Sequence, residues 1–485
     1  MAWSLGGQGA TLAFTMIGTV ALARLLTPIE TGAFAFSIAM YALVQSLLQF
    51  GMANYILRTP ELTPKRANAA MTLAILQGLA ASLLMAVTAP VAGALSRQDH
   101  ITEISLLVAL APMLSGPEAV CEAFWAREGQ FRTIAVLNTL KALVQSGVSI
   151  LTAIWGWGAF ALAAGFVANG LFSFVWCVVA LLARGIRLHL DREEWQLLKG
   201  YSANSMLLTI TVTLNMRIAD LFIGRIFTLG ALGQYSRANG TIDMLRKTIS
   251  YPTARVFVPR MMNAVHEGLP LTHSISDLRR AFLFILWPAL AGLAVIAHPV
   301  TRLLYGPQWD FSADILVILC LVVGFDTARA GGMEGLLYAD RLRFNNGIEF
   351  VRLIVNVALL FAALPFGLMA VLWTRVIEAA LAFAFYLAAL HRIGAGDVRR
   401  ELRDFAEHGF LALLAAGPAW IFMSWRGWPG SLSFWGFATV ISLGALAFLV
   451  GALLLRHSAV AFIPALLGAR AGGGGKEGDG HPGRA

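Results

Sequence analysis

Fourteen apolar runs, each near the ~20 residues a helix needs to cross a bilayer, follow one another along this chain. They fall at approximately 3–26, 33–56, 67–95, 102–125, 133–154, 160–183, 200–224, 231–254, 280–303, 312–338, 347–364, 367–391, 406–425 and 433–456. In lipid a backbone must satisfy its own hydrogen bonds, and at this run length only helices do so, which excludes strands. The expected fold class is therefore an all-α polytopic membrane protein.

The charges sort by side. With the N-terminus in the cytoplasm, the six inner loops and the C-terminal tail hold 23 of the 36 Lys and Arg. The outer ends hold five: Arg24, Arg97, Arg225, Arg302 and Arg426. This asymmetry predicts both termini on the cytoplasmic side of a bacterial inner membrane. Charged residues make up 13% of the chain, about half the share in soluble domains. The longest connections (184–199, 258–279 and 392–405) leave little chain for a soluble domain. A net charge of +9 invites nucleic acid, but no basic patch is interleaved with stacking aromatics. Anionic lipid headgroups account for the excess better. Cys121, Cys177 and Cys320 all fall inside apolar runs without a pairing pattern, so neither a disulfide framework nor a metal site is expected.

Two echoes divide the chain. Arg24, Thr27, Gly32 and Phe34 close the first run; Arg225, Thr228, Gly233 and Tyr235 recur in register after the seventh. Gly158-Ala-Phe-Ala161-Leu162 before the sixth run is matched by Gly367-Leu-Met-Ala370-Val371 before the twelfth. Six is an even number of crossings, so two six-helix halves share one orientation and relate by an axis along the membrane normal, with a site expected at their interface. The expected organisation is an N-terminal bundle over 1–184, an interfacial cytoplasmic linker over 185–199, a C-terminal bundle over 200–392, two further helices over 393–457 and a disordered, Gly-rich tail over 458–485.

The phrase Ala23-Arg-Leu-Leu-Thr-Pro-Ile-Glu-Thr-Gly-Ala-Phe-Ala-Phe-Ser37 resembles the signature after the first helix of Wzx-type polysaccharide flippases. These belong to the multidrug/oligosaccharidyl-lipid/polysaccharide exporter superfamily. Asp220-Leu-Phe-Ile-Gly224, Leu232-Gly-Gln-Tyr-Ser236 and Val256-Phe-Val-Pro-Arg260 extend the likeness. A short basic segment usual before Ala2-Trp3-Ser4 is missing. The resemblance implies two parallel six-helix bundles around a central cavity plus two C-terminal helices. It implies export of an isoprenoid-diphosphate-linked oligosaccharide to the outer leaflet by rocking of the halves, for O-antigen, capsule or exopolysaccharide synthesis. A polysaccharide polymerase and chain-length machinery are the partners this implies, with membrane lipids around the protein. A peptidoglycan lipid flippase and a multidrug–cation antiporter of the same superfamily stay open.

An ion at mid-membrane costs about 2.5–3.5 kcal/mol on insertion scales, so intramembrane charges are functional candidates. Lys141, Arg217, Arg237, Arg329 and Arg375 are the candidate cavity cations for a diphosphate, Arg gripping phosphate oxygens in pairs and Lys acting as a point charge. Asp220, Asp243, Asp326 and Glu378 are the candidates for ion coupling. Glu118 and Glu122 stand one turn apart on the fourth run. Arg217–Asp220, Glu349–Arg352 and Arg375–Glu378 are each spaced for neighbouring pairs on one helix, and Glu349, Arg352, Arg246 and Lys247 are expected near the cytoplasmic face, where long side chains snorkel. Asn138, Gln145, Asn169, Asn204, Asn215 and Asn239 can bond sugar hydroxyls or neighbouring helices. Trp155, Trp157, Trp425, Trp428 and Trp435 read as an outer interfacial belt. No GxxxxGK[ST], HExxH or GxSxG stands in the sequence, so neither a nucleotide engine nor an enzyme is expected, and no cofactor.

Overall fold

The computed structural model describes residues 2–48, 56–57, 59, 63–96, 100–189, 192–267, 271–330, 332, 336, 342–392, 394, 397–425, 427 and 432–454. The tail 458–485, Glu334, Arg97, Arg426 and Trp428 lie outside them, as do the side chains of Asn204 and of residues 256–260.

Among the described residues the chain is helical throughout, with no strand. The first half comprises α1 (Ala2–Leu25), α2 (Pro28–Leu48), α3 (Pro64–Ser96), α4 (His100–Val108), α5 (Ala111–Arg127), α6 (Phe131–Ile154) and α7 (Ala159–Ala183). The second comprises α8 (Arg192–Ile226), α9 (Leu229–His266), α10 (Leu271–Val295), α11 (Ala297–Tyr305), α12 (Asp310–Ala328), α13 (Leu342–Ala363) and α14 (Leu368–Arg392). Then come α15 (Val398–Trp425) and α16 (Phe434–Leu454).

Among the described residues, twelve helical stretches are long and apolar enough to cross a membrane. Helices α1 and α9 coincide with the first and eighth expected runs, and α9 carries Arg237, Asp243, Arg246 and Lys247 there. Two expected runs are broken helices. Pro112 has no N–H to give Val108, and Pro299 none to give Val295; α4 and α10 end at those two residues.

The threonines and glycines of the repeat have a physical basis. Thr27 and Glu30 form a reciprocal cap on α2: Glu30 Oε2 accepts from Thr27 N at 2.7 Å, and Thr27 Oγ1 accepts from Glu30 N at 3.3 Å. Thr228 Oγ1 caps α9 by accepting from Ala231 N at 3.0 Å. Gly158 and Gly367 precede α7 and α14 with φ of +53° and +85°, a conformation side chains resist. Gly32 and Gly233 meet where α2 crosses α9. A methyl at Gly32 would stand 1.8 Å from Leu229 O, and one at Gly233 would stand 1.8 Å from Pro28 O.

Packing repeats as well. α1 lies on α6, as α8 lies on α13; α6 lies on α7, as α13 lies on α14; α3 lies on α5, as α10 lies on α12. Helices α2 and α9 pack on each other and α2 also on α8, so they form the seam. The largest core surrounds that seam, with Phe36, Ile223, Leu232 and Leu316 buried in it. Helix α15 packs against α10 and α16 against α15. Trp155, Trp157, Trp425 and Trp435 are exposed at the end of the molecule where α1 gives way to α2, as an interfacial belt requires. Cys121, Cys177 and Cys320 are buried free thiols.

Candidate functional site

Helix α6 carries Asn138, Lys141, Gln145 and Ser149 at three- and four-residue spacing, one stripe of a helix. Facing it, α1 presents Gly7, Thr11, Thr15 and Gly18, again one stripe. Side chains this small leave space. A cavity of about 840 Å³ lies between these two faces, α7 and α9. It runs from Gly7, Phe131 and Lys247 at one end to Thr19 and Arg237 at the other. Asn169 Nδ2 donates to Gln145 Oε1 at 2.7 Å, which fixes one wall. Lys141 Nζ pairs with Glu118 Oε1, whose other oxygen accepts from Ser173 Oγ at 2.5 Å.

Arg237 sits where the cavity ends. It is only 8% exposed, and its Nε has no hydrogen-bond partner. Its guanidinium lies 4.7 Å from the Trp309 ring centroid and 5.2 Å from that of Tyr305, within cation–π range. One Nη donates to Thr19 O at 3.3 Å. Beyond Arg237 the two halves are tied together. Trp309 Nε1 and Gln308 Nε2 each donate to Ala23 O at 2.8 Å. Arg24 Nη2 donates to Leu303 O at 2.6 Å, and its Nε to Leu304 O at 3.3 Å. Arg225, its counterpart in the repeat, is exposed. Tyr235 is buried in the seam.

Of the five predicted cations, the structure therefore brings Lys141 and Arg237 to the cavity wall. Arg217, Arg329 and Arg375 stand in a second network among α8, α12, α13 and α14. Arg217 pairs with Asp220 at 3.1 Å and Arg329 with Asp326 at 2.9 Å. Arg352 reaches Glu349 at 2.7 Å and Glu378 at 2.8 Å. Tyr386 Oη donates toward Glu349 Oε1 at 2.8 Å, and Arg375 donates to Asn215 O at 3.3 Å. Asp243 pairs with Arg246 at 3.1 Å.

Two expectations change. Glu378 does not pair with Arg375, because Arg352 on the neighbouring helix offers the same oxygen both Nε and Nη2, at 3.0 and 2.8 Å. Glu349 and Arg352 do not snorkel: they are 1% and 6% exposed, enclosed between α13 and its neighbours.

The repeat explains why the halves differ. In α13, Asn345, Glu349, Arg352 and Asn356 make the stripe that Asn138, Lys141, Gln145 and Ser149 make in α6. There the facing helix is α8, which brings Asn215 to hydrogen-bond Glu349 at 3.2 Å and so fills the space. Here it is α1, with glycine and threonine. The periodic small residues of α1 were the sequence signal for the cavity, and sequence reading passed over them. It also passed over Tyr305 and Trp309, which carry no mark in an apolar chain, and over Glu118 as the partner of Lys141.

A second space of about 650 Å³ adjoins the first. It is an apolar groove between α1, α9, α10, α15 and α16, and Thr19 and Thr248 belong to the walls of both.

The family model described as polysaccharide biosynthesis protein matches residues 21–314. The succinoglycan biosynthesis transport protein ExoT of Rhizobium meliloti (strain 1021) is 23% identical over 67% of this chain and 66% of its own length. The lipopolysaccharide biosynthesis protein WzxC of Escherichia coli (strain K12) is 21% identical over 66% of this chain and 65% of its own. The chain thus spans just under two thirds of the length of these relatives. Among solved structures, the lipid II flippase MurJ in an inward closed conformation superposes with a TM-score of 0.77 at 12% identity, over 94% of this chain and 99% of that one. An inward-facing multidrug resistance MATE family transporter of the MOP superfamily superposes with a TM-score of 0.59 at 16% identity, over 80% and 95%. The fold is shared with both, and with more than half its length matched by the family model the chain belongs to the polysaccharide biosynthesis protein family.

Proposed function

We propose that this protein moves an isoprenoid-diphosphate-linked oligosaccharide from the cytoplasmic to the outer leaflet of the bacterial inner membrane, supplying surface polysaccharide synthesis. The observation that carries this is the adjacency of two unlike spaces. One is polar, with amides for sugar hydroxyls and with Lys141 and Arg237 for phosphate; the other is apolar and suits a polyprenyl tail. An amphiphile with a diphosphate between its sugar and its chain fits both at once. Lys141 supplies a point charge and Arg237 a planar fork with an unpartnered N–H.

With both termini cytoplasmic, the ties at Arg24, Gln308 and Trp309 close the outer side, while the cavity extends toward the cytoplasm. Rocking of residues 1–184 against 200–392 then exposes the site to each side in turn, and 393–457 lends the groove a wall. A polymerase and chain-length machinery would receive the product. The work is transport, not catalysis. Moving two negative charges outward through an inside-negative potential releases roughly 4–5 kcal/mol per 100 mV, so the potential can drive export without ATP.

The test is deletion of the gene, followed by assay of diphosphate-linked oligosaccharide and its leaflet in inverted vesicles. Accumulation on the cytoplasmic leaflet, reversed by wild type and at least ~10-fold less by Arg237→Ala or Lys141→Ala, is expected. Accumulation of a peptidoglycan precursor instead, or unchanged glycolipid with altered resistance to cationic drugs, would overturn it in favour of the lipid II or antiporter reading.

A further inference from the structure

Lys141 has two sides. Toward the cavity it lines the wall together with Asn138. Away from it stand Glu118 and Glu122, one turn apart on α5 and outside that wall. Glu118 holds the ammonium and accepts from Ser173. Asn138 stands beside Glu122. Elsewhere among the described residues, Asp220, Asp243, Asp326, Glu349 and Glu378 each have an arginine at ion-pair distance. Among the described residues Glu122 has no cation at that distance. Two carboxylates against one ammonium leave an excess negative charge inside the membrane, where an uncompensated ion is costly. Among the described residues, the other titratable groups near the pair are Tyr41 on α2, Cys121 on α5 and Cys177 on α7, and none of them supplies a positive charge. Carboxylates so placed resolve the excess by sharing a proton.

We infer that Glu118 and Glu122 form a proton-binding site, and that Lys141 links its occupancy to an anion in the cavity. The inference rests on the cavity's taking a diphosphate. A phosphate oxygen competes with Glu118 for the ammonium. When Nζ turns to the phosphate, the carboxylate pair loses its cation and takes up one further proton from bulk solution, relayed by water in the cavity. No bond other than the transferred O–H is made or broken. Linkage is reciprocal, so acidity tightens diphosphate binding by the factor with which the diphosphate favours the proton. The proton leaves with the substrate when Lys141 returns to Glu118, and export moves one negative charge fewer than the diphosphate carries.

The experiment uses the full chain in weakly buffered detergent solution, with farnesyl diphosphate as the probe. Binding is followed by calorimetry and proton uptake by an indicator dye. About one proton taken up per diphosphate bound, and its loss in Glu118→Gln/Glu122→Gln, is the expected result. Binding without uptake overturns the inference and leaves the transport reading standing, as does equal uptake by wild type and the double variant. No binding at all overturns both. A ligand-free measurement covers a variant that folds poorly: in Lys141→Met the infrared stretch of a protonated carboxyl should grow relative to wild type, and an unchanged band overturns the inference.

Discussion

Arg352 shows what one side chain settles in this molecule. Its guanidinium serves two carboxylates, Glu349 and Glu378, on two helices, and all three are at least nine-tenths buried. Removing it leaves both acids without a cation, and breaking a buried pair in that way costs about 3–5 kcal/mol. Arg352→Met should therefore lower the thermal midpoint of the purified protein sharply, and adding Glu349→Gln and Glu378→Gln should restore most of the loss. A midpoint unchanged by Arg352→Met would mean that the pairs are not formed. Residues of this kind mark the limit of sequence reading. Lys141, Arg237, Arg329 and Arg375 bear the same signature, a cation deep in an apolar run. Two line the cavity and two stand in the other network. Sequence gives such a residue its helix and its depth. The direction it faces depends on neighbours tens or hundreds of positions away, and an apolar helix has no polar face to betray it. So Glu118 could be seen, but not that Lys141 is its partner.

At the scale of elements, far more was legible. Run length fixed the helices, and the repeated Arg–Thr–Gly phrase divided the chain into two halves. What it could not say was that Gly32 and Gly233 touch each other. Their backbones approach so closely that a methyl on either would overlap a carbonyl of the partner helix. Gly32→Ala and Gly233→Ala should each separate α2 from α9 at a cost of about 1–3 kcal/mol, read as a lower thermal midpoint. Alanine at Gly147, which meets open space, is the control and should change little. The breaks after Val108 and Val295 escaped notice because hydropathy continues across them; only the missing N–H of Pro112 and Pro299 records them.

For the whole molecule, the ties at one end of the seam predict a lock. Gln308 and Ala23 are joined by a 2.8 Å hydrogen bond across the two halves. Bridging Ala23→Cys to Gln308→Cys with a short bis-methanethiosulfonate reagent, which spans the missing glutamine side chain, should stop export while leaving farnesyl diphosphate binding intact, and a reductant should restore it. Export that continues with the bridge formed would mean that this contact never opens. The three native thiols are buried and should not interfere.

The unlike filling of the two halves has a consequence for how such proteins diversify. Nearly all of the polar cavity is walled by α1, α6 and α7, whereas the matching space in the second half is knitted shut by ion pairs. If the cavity takes the sugar as proposed, selection for a new surface glycan can act on three helices without disturbing the ion-paired network opposite. A chimera that exchanges those three helices between relatives should inherit the glycan preference of their donor.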